Sequence, residues 1–230
     1  MSKEKTALII LHQRRSSIGD VGFKLKQRGY KIDVRKPSLG EKLPSNMDQH
    51  DVAIIYGGPM SANDNNAVIK YEIDWINVAL ESKKPFLGIC LGAQMLAKNL
   101  GGSVQRAADR SHEIGYFNII PNEEGLKIFQ RQKTFFQWHN EGFTVPNSCK
   151  VLAHGSKFHQ QAFKYQNAFG IQFHPEVNLK MHLAWLYFAA YKLKEPGAQT
   201  RIKQLNLRIK HGKKINLWLD HFLDNYLLKH

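Results

Sequence analysis

Cysteine occurs twice in this chain, and one copy stands in a setting built for nucleophilic chemistry: Gly88-Ile89-Cys90-Leu91-Gly92. The apolar run Pro85-Phe86-Leu87 precedes it and a helical pattern over residues 93–100 follows it. A short buried strand turning sharply into a helix needs small residues on both sides of the turn, because the residue between them is held in a strained conformation. The thiol is thereby pushed out of the sheet. It also meets the first turn of a helix, whose partial positive charge and free N–H groups favour thiolate, the reactive form.

A cysteine nucleophile needs a base, and the base needs a partner that fixes its tautomer. His174-Pro175-Glu176 follows the apolar segment Phe169-Gly170-Ile171-Gln172-Phe173 and supplies both. Residues two apart in an extended chain point the same way, so Glu176 reaches the His174 imidazole while Pro175 stiffens the turn between them. Attack on a carbonyl also requires donors aimed at the developing oxyanion, each worth roughly 3 kcal/mol of barrier. The Leu91 N–H, at the helix start, is one candidate. Gly58, in the Gly57-Gly58-Pro59 turn, is the second, since such a turn lets backbone approach a substrate closely. Neither a metal nor a cofactor is expected: Trp138-His139-Asn140-Glu141 lacks H-E-x-x-H spacing, and the chain carries no paired-cysteine motif and no P-loop.

These residues must be delivered by strand ends. Residues 6–11 (TALIIL) form a continuous apolar run of the type buried on both faces, residues 30–34 repeat it more weakly after a helix over 18–27, and residues 51–56 give the next strand. A helix over 67–81 follows, with Ile69, Ile73, Ile76 and Leu80 facing inward, and then the elbow strand and helix. Apolar strands separated by helices predict a doubly wound, flavodoxin-like α/β fold, with a mostly parallel sheet covered on both faces. Ligands bind such sheets at the carboxyl ends of the strands, where Gly57, Gly58 and Cys90 fall. After Gly101-Gly102, shorter strands near 114–120, 134–138, 150–154 and 161–165 predict a small antiparallel portion. A helix over 179–194 is apolar on most of its surface. Two further helices, over 198–210 and 213–226, are expected to break at Gly212.

Composition bounds the rest. With 230 residues and 43% hydrophobic content, the chain can bury a core of one domain, read as residues 1–195 with a helical extension, 196–230, on the same domain. No stretch approaches the roughly 18–20 apolar residues of a membrane span, and the start of the chain, Met1 to Lys5, leads into a strand too short for a signal sequence. A cytoplasmic location is expected, with no disulfide between Cys90 and Cys149, the latter in a polar loop. Lysine and arginine outnumber acids 33 to 19, and residues 192–214 hold eight basic residues against Glu195 alone. No stacking aromatics interleave with these charges, so a solvated helix face is expected rather than a nucleic-acid site.

Three blocks, Tyr56-Gly57-Gly58-Pro59, residues 85–94 around Cys90, and residues 170–176 ending in His174-Pro175-Glu176, together resemble the class I (triad) glutamine amidotransferases, most closely the glutaminase domain of GMP synthase and its stand-alone relatives. The resemblance spans about residues 5–190. It implies that Cys90 attacks the side-chain amide of glutamine, that His174 is general base and acid, and that Glu176 orients it. Ammonia leaves, and water hydrolyses the resulting γ-glutamyl thioester. It also implies Gly58 and Leu91 as the oxyanion hole and Gly57, Gln94 and His139 as substrate-binding residues. The family's serine-histidine-glycine-acid run is replaced here by Trp138-His139-Asn140-Glu141, which changes how the substrate's α-amino and carboxylate groups are met. No S-G-G-x-D-S motif is present, so a separate ammonia-accepting synthetase is an expected partner. A γ-glutamyl peptidase or hydrolase acting alone on γ-glutamyl compounds is the alternative, and a non-catalytic binding protein is a third reading.

Overall fold

Strands with no polar face must be covered twice, and the computed structural model, which describes residues 4–229, shows how. Met1–Lys3, part of the segment read above for a signal sequence, lie outside the described residues. The elements in chain order are β1 (Thr6–Ile10), α1 (Gly19–Gln27), β2 (Lys31–Arg35), β3 (Val52–Ile55), α2 (Ala67–Glu81), β4 (Phe86–Ile89) and α3 (Leu91–Asn99). Then come β5 (Ser103–Arg106), β6 (Glu113–Pro121), α4 (Glu123–Phe129), β7 (Thr134–His139), β8 (Glu141–Thr144), β9 (Lys150–Gly155), β10 (Gln160–Tyr165) and β11 (Ala168–Ile171). The chain closes with α5 (Leu179–Phe188), a 3-10 turn (Ala190–Lys194), α6 (Arg201–Phe222) and a π turn (Leu223–Leu227).

The sheet order is β2-β1-β3-β4-β11-β10-β9-β6-β7, with β5 paired to β8 and β8 to β10. The first five strands are parallel, and β11 onward is antiparallel. This is the doubly wound α/β arrangement with an antiparallel portion. Alternation along the parallel strands splits the core into two layers: Ala7, Ile9, Val52 and Ile54 face one side, and Leu8, Ile10, Ala53 and Ile55 the other. Residues of α2 and α3 fill the second layer; those of α1 and α6 fill the first.

The structure corrects several expectations. Residues 201–222 form one helix running through Gly212, with no break. Helix propensity at one glycine is worth only about 1 kcal/mol, whereas Trp218, Leu219 and Phe222 bury fully against Phe129, Phe135 and Phe173. At Gly212 an added Cβ would sit 3.0 Å from the Arg208 side chain, whose guanidinium crosses to donate 2.5 Å to the Val177 carbonyl. Helix α6 is further fixed by Lys24 to Asp220 at 2.5 Å and by Arg28 to Asp220 and Asp224. The segment 179–194 is a helix and a 3-10 turn rather than one helix. Its apolar character is not all buried: Leu179, Leu183, Tyr187 and Phe188 are exposed. Helix α2 presents Ile69, Glu72, Trp75, Ile76 and Ala79 inward, so Ile73 and Leu80 are only partly covered. Cys149 is buried despite its polar neighbours, and burial raises its thiol pKa. Strands β5 and β8 and helix α4 carry no clear signal in the sequence.

Candidate active site

Cys90 is the N-cap of α3 and adopts φ +52, ψ −106, a region costing a side-chain-bearing residue of order 1–3 kcal/mol. The flanking glycines are sterically required. A Cβ on Gly88 would lie 2.5 Å from the Gly92 carbonyl oxygen, and one on Gly92 would collide with the Ile55 carbonyl. Packing of the elbow against β3 thus imposes the strained turn. The Cys90 N–H donates to Ile171 O at 2.8 Å, which joins the elbow to the end of β11.

From that strand end the chain reaches His174, whose own N–H donates to Phe136 O at 2.8 Å. His174 Nδ1 meets Glu176 Oε1 at 2.7 Å, with both side chains only 3% exposed. The Trp185 ring stands edge-on to the imidazole, with centroids 5.2 Å apart. Nε2 is buried and has no hydrogen-bond partner among the described residues; it is the ring nitrogen left for the thiol and a substrate. Burial by itself would lower the His174 pKa, but the charges of Glu176 and of a Cys90 thiolate outweigh it and push it up to about 10. An imidazolium held in this way both stabilises thiolate and stands ready as a general acid.

Gly57 lies against the other side. A Cβ there would come 2.7 Å from the His174 ring and 3.4 Å from Cys90 Cβ, so only glycine allows this approach. Gly57 and Gly58 are half-buried, while Cys90 is 6% exposed. The Leu91 N–H is at the first helical position of α3, where no intrahelical acceptor exists. The triad candidates, Gly57 and both oxyanion candidates are therefore gathered where β3, β4 and β11 end.

Gln94 and His139 are placed differently from a pair of free substrate ligands. Gln94 Nε2 donates to Glu141 O at 2.8 Å and to Gln172 Oε1 at 3.3 Å. His139 spends both ring nitrogens inside the protein: Nδ1 on Glu141 O at 2.9 Å, and Nε2 on Glu113 Oε2 at 3.1 Å and Gln137 Oε1 at 3.2 Å. The Glu141 side chain accepts from Ser61 Oγ at 2.7 Å, tying the loop after β3 to the β7–β8 turn.

Residues not singled out in the sequence complete the site. Gln172 Nε2 lies 3.6 Å from Cys90 Sγ and donates to it. His12 and Glu72, both fully buried in their side chains, meet at 2.8 Å behind Gly57. A signal for each was present: a carboxylate inside the apolar stripe of α2, a histidine directly after the buried run of β1, and an amide at the end of the β11 run. No group of three or more potential metal ligands occurs among the described residues, and no helix is long and apolar enough to cross a membrane.

A parallel-sheet elbow with a strained cysteine and a histidine-glutamate pair on the next strand defines a class of thiol-dependent enzyme. The class I glutamine amidotransferase family model matches residues 20–192, and the chain belongs to that family. It is 28% identical to the glutamine amidotransferase-like protein YfeJ of Salmonella typhimurium, over 96% of this chain and 97% of that one. It is 34% identical to the glutamine-hydrolyzing subunit of GMP synthase from Saccharolobus solfataricus, over 66% of this chain and 80% of that one. A crystal structure of a glutamine amidotransferase from Thermotoga maritima superposes with a TM-score of 0.88 at 28% identity, covering 98% and 99% of the two chains.

Proposed function

We propose that this protein hydrolyses the side-chain amide of glutamine to glutamate and ammonia. The observation that carries the reading is Cys90, strained at the head of α3, beside a His174 whose far nitrogen is held by Glu176 at 2.7 Å. Cys90 Sγ adds to the amide carbon, and the oxyanion settles between the Leu91 and Gly58 N–H groups. The imidazolium gives its proton to the departing amine, so the C–N bond breaks as ammonia leaves and a γ-glutamyl thioester remains. Water, deprotonated by the now neutral His174, attacks the thioester carbon; glutamate leaves and the thiolate–imidazolium pair is restored.

Similarity to the glutamine-hydrolyzing subunit of a GMP synthase supports a separate synthetase as the ammonia acceptor, docked around the mouth formed by Gly57, Gly58 and Cys90. A γ-glutamyl peptidase is the second reading. The internal use of both His139 nitrogens favours it, since that ring is not available to a free amino acid's α-groups. Glutamate release from L-glutamine and from γ-glutamyl peptides, with Cys90→Ala as control, decides between them. Glutamine turnover lost in the control supports the amidotransferase; turnover of peptides alone moves the assignment to a peptidase; no turnover of either overturns both.

A further inference from the structure

His12 follows β1 directly, and its ring lies between two acceptors. Nδ1 faces the Gly57 carbonyl oxygen at 3.0 Å, and Nε2 faces Glu72 Oε2 at 2.8 Å. A carbonyl and a carboxylate can only accept, so both contacts need a proton. The His12–Glu72 pair therefore holds one proton more than a neutral imidazole beside a carboxylate, and one N–H is committed to Gly57 O. Both side chains are fully buried, and the second Glu72 oxygen has no partner among the described residues. Stability does not account for such a pair, because a buried ion pair is often no better than apolar residues of the same volume.

What the pair grips does account for it. The carbonyl of Gly57 and the N–H of Gly58 belong to one peptide unit, none of the described peptide bonds is cis, and in a trans peptide these groups point in opposite directions. Anchoring Gly57 O toward His12 turns the Gly58 N–H away from His12. The Gly57 Cα of the same unit faces His174 and Cys90, while Gly58 Cα rests against the His12 ring, where a Cβ would fall 2.9 Å from it. The Gly58 N–H donates to no protein group among the described residues. Glycines on both sides of the peptide leave its plane free to rotate unless something holds it.

We infer that His12, backed by Glu72, is a positioning residue that sets the Gly57–Gly58 peptide so that the Gly58 N–H faces the oxyanion formed on attack by Cys90. The inference rests on the acyl-transfer reading above. It adds a mechanism for pre-organising one donor, the form of electrostatic stabilisation that costs no reorganisation during reaction.

The test compares His12→Phe, His12→Asn and Glu72→Gln in the full chain. Losing an oxyanion donor outright costs about 10²–10³ in kcat, so His12→Phe is expected to lower kcat about 100-fold with KM within about threefold. Iodoacetamide should alkylate its Cys90 at close to the wild-type rate. His12→Asn places an amide N–H near the Nδ1 position and should recover most of the loss. Glu72→Gln donates to Nε2, leaves the proton on Nδ1, and should stay within about threefold of wild type. Wild-type kcat in His12→Phe, or parallel losses of kcat, alkylation rate and melting temperature in all variants, overturns the inference. Nitrogen-15 NMR of the His12 ring gives an arm independent of turnover: a protonated Nδ1 is expected, and a bare Nδ1 overturns the anchor for any substrate. Wild-type protein that turns over neither glutamine nor γ-glutamyl peptides sinks the acyl-transfer reading instead, a result distinguishable from loss confined to His12→Phe.

Discussion

Gln172 and Cys90, neighbours at the ends of adjacent parallel strands, are joined by an N–H donated from Gln172 Nε2 to Cys90 Sγ at 3.6 Å. The β4–β11 register pairs Ile89 with Ile171, which leaves Cys90 and Gln172 side by side beyond the strand ends. Gln94 holds the other end of the Gln172 amide, so the donor is oriented before the thiol ionises. Hydrogen bonds to charged groups are worth about 1.5–3 kcal/mol. Gln172→Leu should therefore slow Cys90 alkylation at neutral pH by about tenfold or more, measured with iodoacetamide; an unchanged rate would remove Gln172 from the site.

The pH dependence of stability follows from His174. Its folded pKa, about 10, lies above the ordinary value of 6.5. A raised pKa stabilises the fold fully below the unfolded value, and that contribution is lost as pH rises through the folded value. Glu176→Gln removes the charge that supports the imidazolium. The stability gap between wild type and Glu176→Gln should thus be widest below pH 6.5 and close toward pH 10, at no more than about 1.4 kcal/mol per pH unit for one proton. Urea titrations at about pH 6, 8 and 10 measure it, and a gap that widens with pH contradicts the assignment.

Gly92→Ala forces a Cβ into the Ile55 carbonyl, and Gly88→Ala forces one against the Gly92 carbonyl. Both obstacles are backbone and cannot swing aside. Each substitution should cost about 1–3 kcal/mol or more by overpacking, read as a lowered melting temperature. Activity should fall further than stability, since the elbow aims Cys90.

Trp218 stacks on Phe129 and Phe222 and lies edge-on to Phe135 and Phe173, while its Nε1 donates to Ile128 O at 3.0 Å. Trp218→Ala should destabilise the protein by about 3–5 kcal/mol in chemical denaturation. A cost under about 1 kcal/mol would show that α6 is a loosely attached appendage.

The basic face of α6 allows a cleaner test of partner binding than charge alone suggests. Arg208 is committed to Val177 O next to Glu176, so it is left intact. Glutamate at Lys203, Lys210 and Lys213, which carry no ion pair among the described residues, should leave glutamine hydrolysis and partner capture unchanged. Loss of partner capture with hydrolysis intact would instead place the docking surface on this helix.

Short-range rules account for what residue order alone made legible. Apolar runs without a polar face announced β1, β3, β4 and β11, the helix over 67–81 emerged with those bounds, and two glycines flanking Cys90 marked the elbow, because strain in a tight turn is written in the residues that permit it. His174 and Glu176, two residues apart, could be paired for the same reason. Everything that depends on residues far apart in the chain was settled by folding. Helix α6 runs through Gly212 because Trp218 and Phe222 bury against elements formed far earlier in the chain, which outweighs a local preference. Glu72 faces inward, and the stripe of α2 is rotated with it, because His12 waits 60 residues away. His139, expected among the substrate ligands, is drawn into Glu113 and Gln137 by the β6–β7 pairing. Periodicity specifies which side of an element is buried, but a buried polar side chain is placed by its partner, and only the folded chain brings that partner into contact.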